Sequence, residues 1–298
     1  MLLRYGRCGF IFLIVIALWS GTVSGLSAED TVVLEFTEPS TGQMFSPASP
    51  IVASVDGDTN LVGIRVAGQD TDGIELETQS GKFIDLKSEI GFVRGVEFLT
   101  DDTGNLKLGD TLSIDSKLGS ALGIQAAGDS TSSPQPSGDE LTVETNESVT
   151  VKAADRAIGL LAVGQDTLGV RVSGRMQVTG GTQGQSGASG WIIQGGDTST
   201  VSGTEAELVV EASGEATGGS VTLGANGTVR PGTMTVHSNS GDARGLRADL
   251  GVGSEVIVED TMAVTSLNQT AKALDVTGET GVRVQLSETI RDTGQTAA

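Results

Sequence analysis

Residues 63–76 read Gly63-Ile-Arg-Val-Ala-Gly-Gln-Asp-Thr-Asp-Gly-Ile-Glu-Leu76, and the phrase returns almost unchanged as Gly159-Leu-Leu-Ala-Val-Gly-Gln-Asp-Thr-Leu-Gly-Val-Arg-Val172. The opening of this pair, small-x-Gly-apolar-x-apolar, recurs along the chain. It stands at Leu61-Val-Gly63-Ile64-Arg-Val66, Val93-Arg-Gly95-Val96-Glu-Phe98, Ala121-Leu-Gly123-Ile124-Gln-Ala126 and Ala157-Ile-Gly159-Leu160-Leu-Ala162. It continues at Ala188-Ser-Gly190-Trp191-Ile-Ile193 and Ala243-Arg-Gly245-Leu246-Arg-Ala248, and ends at Ala271-Lys-Ala273-Leu274-Asp-Val276, where Ala replaces Gly. A degenerate copy is read at Thr217-Gly-Gly219-Ser220-Val-Thr222. Successive copies lie 32, 28, 36, 31, 29, 26 and 28 residues apart. Such self-similarity at a fixed period is the signature of a repeat architecture.

Two further apolar alternations follow each phrase, such as Val170-Arg-Val172 with Met176-Gln-Val178, and Val256-Ile-Val258 with Met262-Ala-Val264. Period two describes short strands with one apolar side and one side facing water. Three such strands per thirty residues, joined by Gly- and Thr-rich corners, predict an all-β, three-sided parallel β-helix (β-solenoid) of about eight coils of roughly 30 residues. A lone coil cannot bury its apolar side; stacked coils bury it continuously and pair their backbone groups with the coils on either side. At the glycine the alternation slips by one, which calls for a bulge or corner without a Cβ. On this register Ile64, Ile124, Leu160, Trp191, Leu246 and Leu274 form one interior ladder. A pair of β-sandwich domains would also show short strands, but not a constant period without cysteine or much aromatic residue.

The flanks divide the chain. Arg4 and Arg7 precede the apolar run Phe10–Trp19, and the small residues of Val23-Ser-Gly25 or Leu26-Ser-Ala28 follow, so Met1–Ala28 reads as a secretory signal. Glu29–Pro50 is expected to be an N-terminal cap segment with a strand at Val32–Phe36, Ile51–Ile290 the β-helix, and Arg291–Ala298 a tail or truncation end. Asp129–Gly138 and Gly180–Gly187 read as projecting loops. Cys8 falls within the signal, so the mature chain has no cysteine, which suits bacterial envelope export better than an animal disulfide framework. The net charge is −20, and −22 once Arg4 and Arg7 are gone. That charge excludes nucleic acid as a partner and disfavours anionic lipid and acidic polysaccharides unless a divalent ion bridges them.

The Ala-x-Gly-Ile/Leu-x-Ala phrases, the Val-x-Val strands and the cysteine-free body after an export signal resemble passenger segments of bacterial autotransporters, over roughly Leu61 to Leu286. The resemblance implies a right-handed parallel β-helix, displayed on the outer surface of a Gram-negative bacterium or secreted from it, often in adhesion. It also implies a C-terminal translocating outer-membrane barrel as partner. The chain stops at Gln295-Thr-Ala-Ala298, soon after Val282-Arg-Val284-Gln-Leu286, without room for one. A fragment, a truncated relative or a passenger-like protein exported some other way is therefore expected, its barrel encoded downstream if at all.

β-Solenoids also carry polysaccharide lyases and glycoside hydrolases, on pectin-lyase-like β-helices, so chemistry must be sought. His237 is the only histidine and follows a strand at an outward position. Asp70 and Asp166 share Gly-Gln-Asp-Thr, and Asp101-Asp102 is a doublet, but Asp is an ordinary corner residue. Trp191 falls on the interior ladder rather than in a sugar-stacking site. No Cys or His pair and no calcium nonapeptide occurs. Asn146, Asn226 and Asn268 match the glycosylation pattern, as chance allows in a Ser/Thr-rich chain. The expectation is a scaffold or adhesin that binds a surface ligand or carbohydrate. Catalytic, cofactor-binding and metal-ligating residues: none assigned; cofactors: none.

Overall fold

The computed structural model describes residues 30–37, 42–47, 50–67, 73–79, 81, 83–100, 103–128, 140–181, 187–287 and 290–294. The signal segment Met1–Ala28, Cys8, Asp70, Asp101, Asp102, the loop Asp129–Gly138, residues 182–186 and the last four residues lie outside this set. Among the described residues every regular element is a strand.

The 25 strands fall into nine coils, seven of three strands and two in which one long strand covers the second and third sides. The first coil is β1 (Asp30–Thr37), β2 (Met44–Phe45) and β3 (Ile51–Val55); the second is β4 (Asn60–Ala67), β5 (Ile74–Glu77) and β6 (Phe83–Ser88). The third is β7 (Val93–Thr100), β8 (Gly104–Leu108) and β9 (Thr111–Ser116); the fourth is β10 (Ala121–Gly128), β11 (Glu140–Thr145) and β12 (Val149–Ala153). In the fifth, β13 (Ala157–Val163) is followed by the long β14 (Thr167–Gly180), and in the sixth β15 (Ala188–Gly195) by β16 (Thr200–Ala212). The seventh is β17 (Ala216–Leu223), β18 (Thr228–Arg230) and β19 (Thr233–Ser238). The eighth is β20 (Ala243–Leu250), β21 (Glu255–Val258) and β22 (Met262–Ser266). The ninth is β23 (Ala271–Gly278), β24 (Arg283–Leu286) and β25 (Ile290–Gly294).

The first strands of the coils make a nine-stranded face, β1-β4-β7-β10-β13-β15-β17-β20-β23, and the other two sides make one sixteen-stranded sheet. That sheet is continuous because β14 and β16 run unbroken through the corner. Every strand pairs in parallel with its counterparts in the adjoining coils. The protein is thus a parallel β-solenoid, as the repeat predicts. On the first face Leu34, Ile64, Val96, Ile124, Leu160, Trp191, Gly219, Leu246 and Leu274 stand in one column, 27 to 36 residues apart. The six ladder residues named from the sequence are all in it.

Glycine is required by the stacking itself. Cβ atoms placed on Gly63, Gly95, Gly123, Gly159, Gly190 and Gly218 would lie 2.4 to 2.7 Å from the carbonyl oxygen of the matching residue one coil on. Both this glycine and the residue after it turn inward, which is the slip in alternation. One copy needs re-registering. Gly218, not Gly219, occupies the glycine column, so the phrase is Ala216-Thr-Gly218-Gly219-Ser-Val221 and the ladder position holds Gly219. The vacancy accommodates Trp191: Cβ atoms on Gly203 and Gly219 would stand 2.5 and 3.6 Å from its ring. The indole is fully buried, and its Nε1 finds no partner among the described residues.

The corners after the third side carry a serine device. Gly91 N donates to Ser88 Oγ at 3.0 Å, and Ser116 Oγ, one coil on, donates to Gly91 O at 2.8 Å. The arrangement recurs where Gly241 N donates to Ser238 Oγ at 3.0 Å and Ser266 Oγ donates to Gly241 O at 2.8 Å. Each buried hydroxyl satisfies backbone groups that a turn would otherwise orphan.

A candidate binding trough on the first face

Of the residues considered for chemistry, the described ones, His237, Asp166 and Trp191, are scattered. His237 lies on β19, outward and half-buried, laddered between Glu211 and Thr265, with its Nε2 3.0 Å from Asn239 Oδ1. Asp166 sits in the corner between β13 and β14, where its backbone carbonyl accepts a long 3.5 Å bond from Ser199 Oγ. Trp191 is core. Among the described residues no group of three or more His, Cys, Asp or Glu is placed to hold a metal ion.

Where side chains do converge is the outer surface of the first face. The inward turn of two successive residues bends each strand, so the outward residues on either side of the bend lean together along a crease. The sequence reading expected these positions to face water. Instead Leu122, Ile158, Leu161 and Val163 form a second apolar cluster on the outside of the sheet, with Leu122 wholly buried.

Along its length the crease changes character. In the first coils it is closed by an ion network: Arg65 reaches Asp30 at 2.6 Å, Glu97 at 2.5 Å and Glu35 at 3.6 Å, while Arg94 lies 3.7 Å from both Asp30 and Glu97. The Arg94 guanidinium also sits 4.8 Å over the Phe92 ring. Burial would raise the Asp30 carboxyl pKa, but hydrogen bonds from Arg65 and Asn60 and the two guanidinium charges outweigh it and hold the group below its ordinary value. Arg65 answers in kind: burial works against its charge, but bonding to Asp30 and Glu97 raises its pKa on balance.

Further along, the crease opens into a trough of about 550 Å³. The register explains the opening. On one outward column Ile158 is followed, coil by coil, by Ser189, Thr217 and Arg244; on the next Leu161 is followed by Ile192, Ser220 and Arg247. Small residues of β15 and β17 thus form a floor beside the guanidiniums of β20, beginning one coil after the apolar outward residues of β13. Ahead of these strands Arg156, Gly187 and Glu215 complete the lining. Arg244 is engaged by Glu215 and by Asp242, the latter at 3.1 Å. Arg156 and Arg247 are exposed and make no ion pair among the described residues. A positive field is felt nearby: the Asp275 carboxyl is lowered mainly by a hydrogen bond from Lys272, with added pull from the Lys272, Arg247 and Arg244 charges.

None of these trough residues was read from the sequence as a binding residue. The signal was present as three arginines at outward offsets from the glycine column in an acidic chain, but it emerges only once the coils are aligned. Comparison with protein-family models, with curated proteins and with solved structures finds no match.

Proposed function

We propose that this protein is an exported, non-enzymatic scaffold of the autotransporter passenger type that acts as an adhesin, at the surface of a Gram-negative bacterium or secreted from it. The observation that carries the reading is the separation of groups. His237 stands on the third side beside Asn239, whereas the trough lies on the first face and presents hydroxyls and guanidiniums, groups suited to holding a ligand. A fold alone implies no activity; the site must supply it.

A second reading, a polysaccharide lyase or glycoside hydrolase, draws on one observation, the Glu215 carboxylate beside Arg244 inside the trough. The test is incubation of the purified protein with neutral and acidic polysaccharides, with and without calcium. Binding without release of reducing ends or unsaturated products is expected. Sustained product release that disappears in Glu215→Gln, Asp166→Asn, Asp70→Asn or His237→Gln would replace the scaffold with the enzyme.

A further inference from the structure

We infer that the trough between β13 and β20 binds an anionic saccharide, its carboxylate or sulfate groups held by Arg156 and Arg247 and its hydroxyls by Ser189, Thr217 and Ser220. The inference rests on the scaffold reading and adds its ligand class. The trough spans three coil steps, roughly 14 Å at the usual strand spacing, and its volume lies in the range of small-ligand sites. Its floor offers one or two hydroxyls per coil, a hydrogen-bonding row that matches a polyhydroxylated chain lying along the crease, and Ile192 gives an apolar patch for a ring face. The lining carries three guanidiniums against one carboxylate, and two of the three, Arg156 and Arg247, make no ion pair among the described residues, although the Arg247 charge is felt by Asp275 one coil on. Arginine suits planar carboxylate and sulfate groups because its fork donates two parallel hydrogen bonds.

Other polymers fit the site less well. A peptide adding to a sheet needs a free backbone edge, and both β15 and β17 are paired on either side. Nucleic acid needs a long basic track, which a chain of net charge −20 does not supply. That overall charge disfavours acidic polysaccharides at a distance. Screening over about 8 Å at physiological salt leaves the local guanidiniums in command at contact, so the expected cost falls on association rate.

The experiment is calorimetric titration of the purified protein with three tetrasaccharides: one of hexuronic acids, one O-sulfated, one neutral and glucose-based. The arms with carboxylate and sulfate identify which anion is preferred. At least one charged probe should bind, more weakly as salt is raised, and the neutral probe should not. The double variant Arg156→Ala/Arg247→Ala should weaken binding tenfold or more. Ser220→Tyr, which fills the floor and leaves every charge in place, should do the same, while Arg175→Ala on another side should change nothing. Circular dichroism confirms that each variant is folded. Failure of both charged probes to bind, equal binding of the neutral probe, or full affinity in the double variant overturns the inference and leaves the scaffold reading standing. Arginine-dependent binding accompanied by shortening of the probe keeps the trough assignment and overturns the scaffold reading.

Discussion

At the scale of single residues, what the solenoid demands is absence of bulk at one column and presence of it at the next. Gly123 shows the first: an added Cβ would stand 2.4 Å from Gly159 O, a backbone atom that pairing holds in place. Gly123→Ala should therefore cost about 1–3 kcal/mol by overpacking, measured by urea unfolding. The converse change, Ala273→Gly on the terminal strand of the face, should cost no more than about 1 kcal/mol, the ordinary flexibility penalty. Leu160 shows the second. It is wholly buried between Ile124 and Trp191, so Leu160→Asp strands a charge in the core and should cost about 4 kcal/mol or more. An unchanged melting temperature would contradict the ladder. Both columns were legible in the sequence because the phrase repeats. The exception is instructive: Gly218-Gly219 fits the phrase in either of two frames, and only pairing with Ala188 and Ala243 decides that Ala216 heads the copy.

At the scale of elements, strand existence follows from period two, but the use of the outward side does not. Leu122 and Ile158 satisfy alternation as well as any solvent-facing residue; that they join a second cluster depends on the bend at the glycine, a property of the stack. The serine corners were hidden for a related reason. Ser88-Glu-Ile-Gly91 resembles any polar turn until the carbonyl of Gly91 is seen meeting Ser116 one coil on. The trough combines both obscurities, since its lining comes from four coils. The ion network at β1 makes a pH prediction. In the native state the Asp30 carboxyl titrates below its ordinary 3.8, so the charged form is favoured by folding. Its contribution is complete above the unfolded value and is lost as pH falls through the native one. The stability gap between the wild type and Asp30→Asn should accordingly be constant from pH 7 to about 5 and close below about pH 4. A gap that widens on acidification would reverse the assigned sign.

At the scale of the whole molecule, nearly every stabilising pairing joins residues about one coil apart in sequence, and this governs what a break in the chain can do. Nine strands on the first face stand about 40 Å tall at roughly 4.8 Å per step. The segment Asp129–Gly138 separates β10 from β11 within the fourth coil. A cut there divides a coil but severs no ladder: β10 still pairs with β13, β8 with β11, and β9 with β12. Those three pairings cross the cut on all three sides, and the hydrophobic core runs through the same coils without interruption. A protease site placed between Ser132 and Ser133 should thus yield two fragments that elute as one species at unchanged volume. They should melt in a single transition with an all-strand far-UV spectrum, since unfolding of neighbouring repeats is coupled through their interfaces. Two sandwich domains joined at this Ser/Pro-rich segment would behave otherwise. Their fragments would part on the column and melt independently, and that outcome would refute a solenoid continuous through the fourth coil.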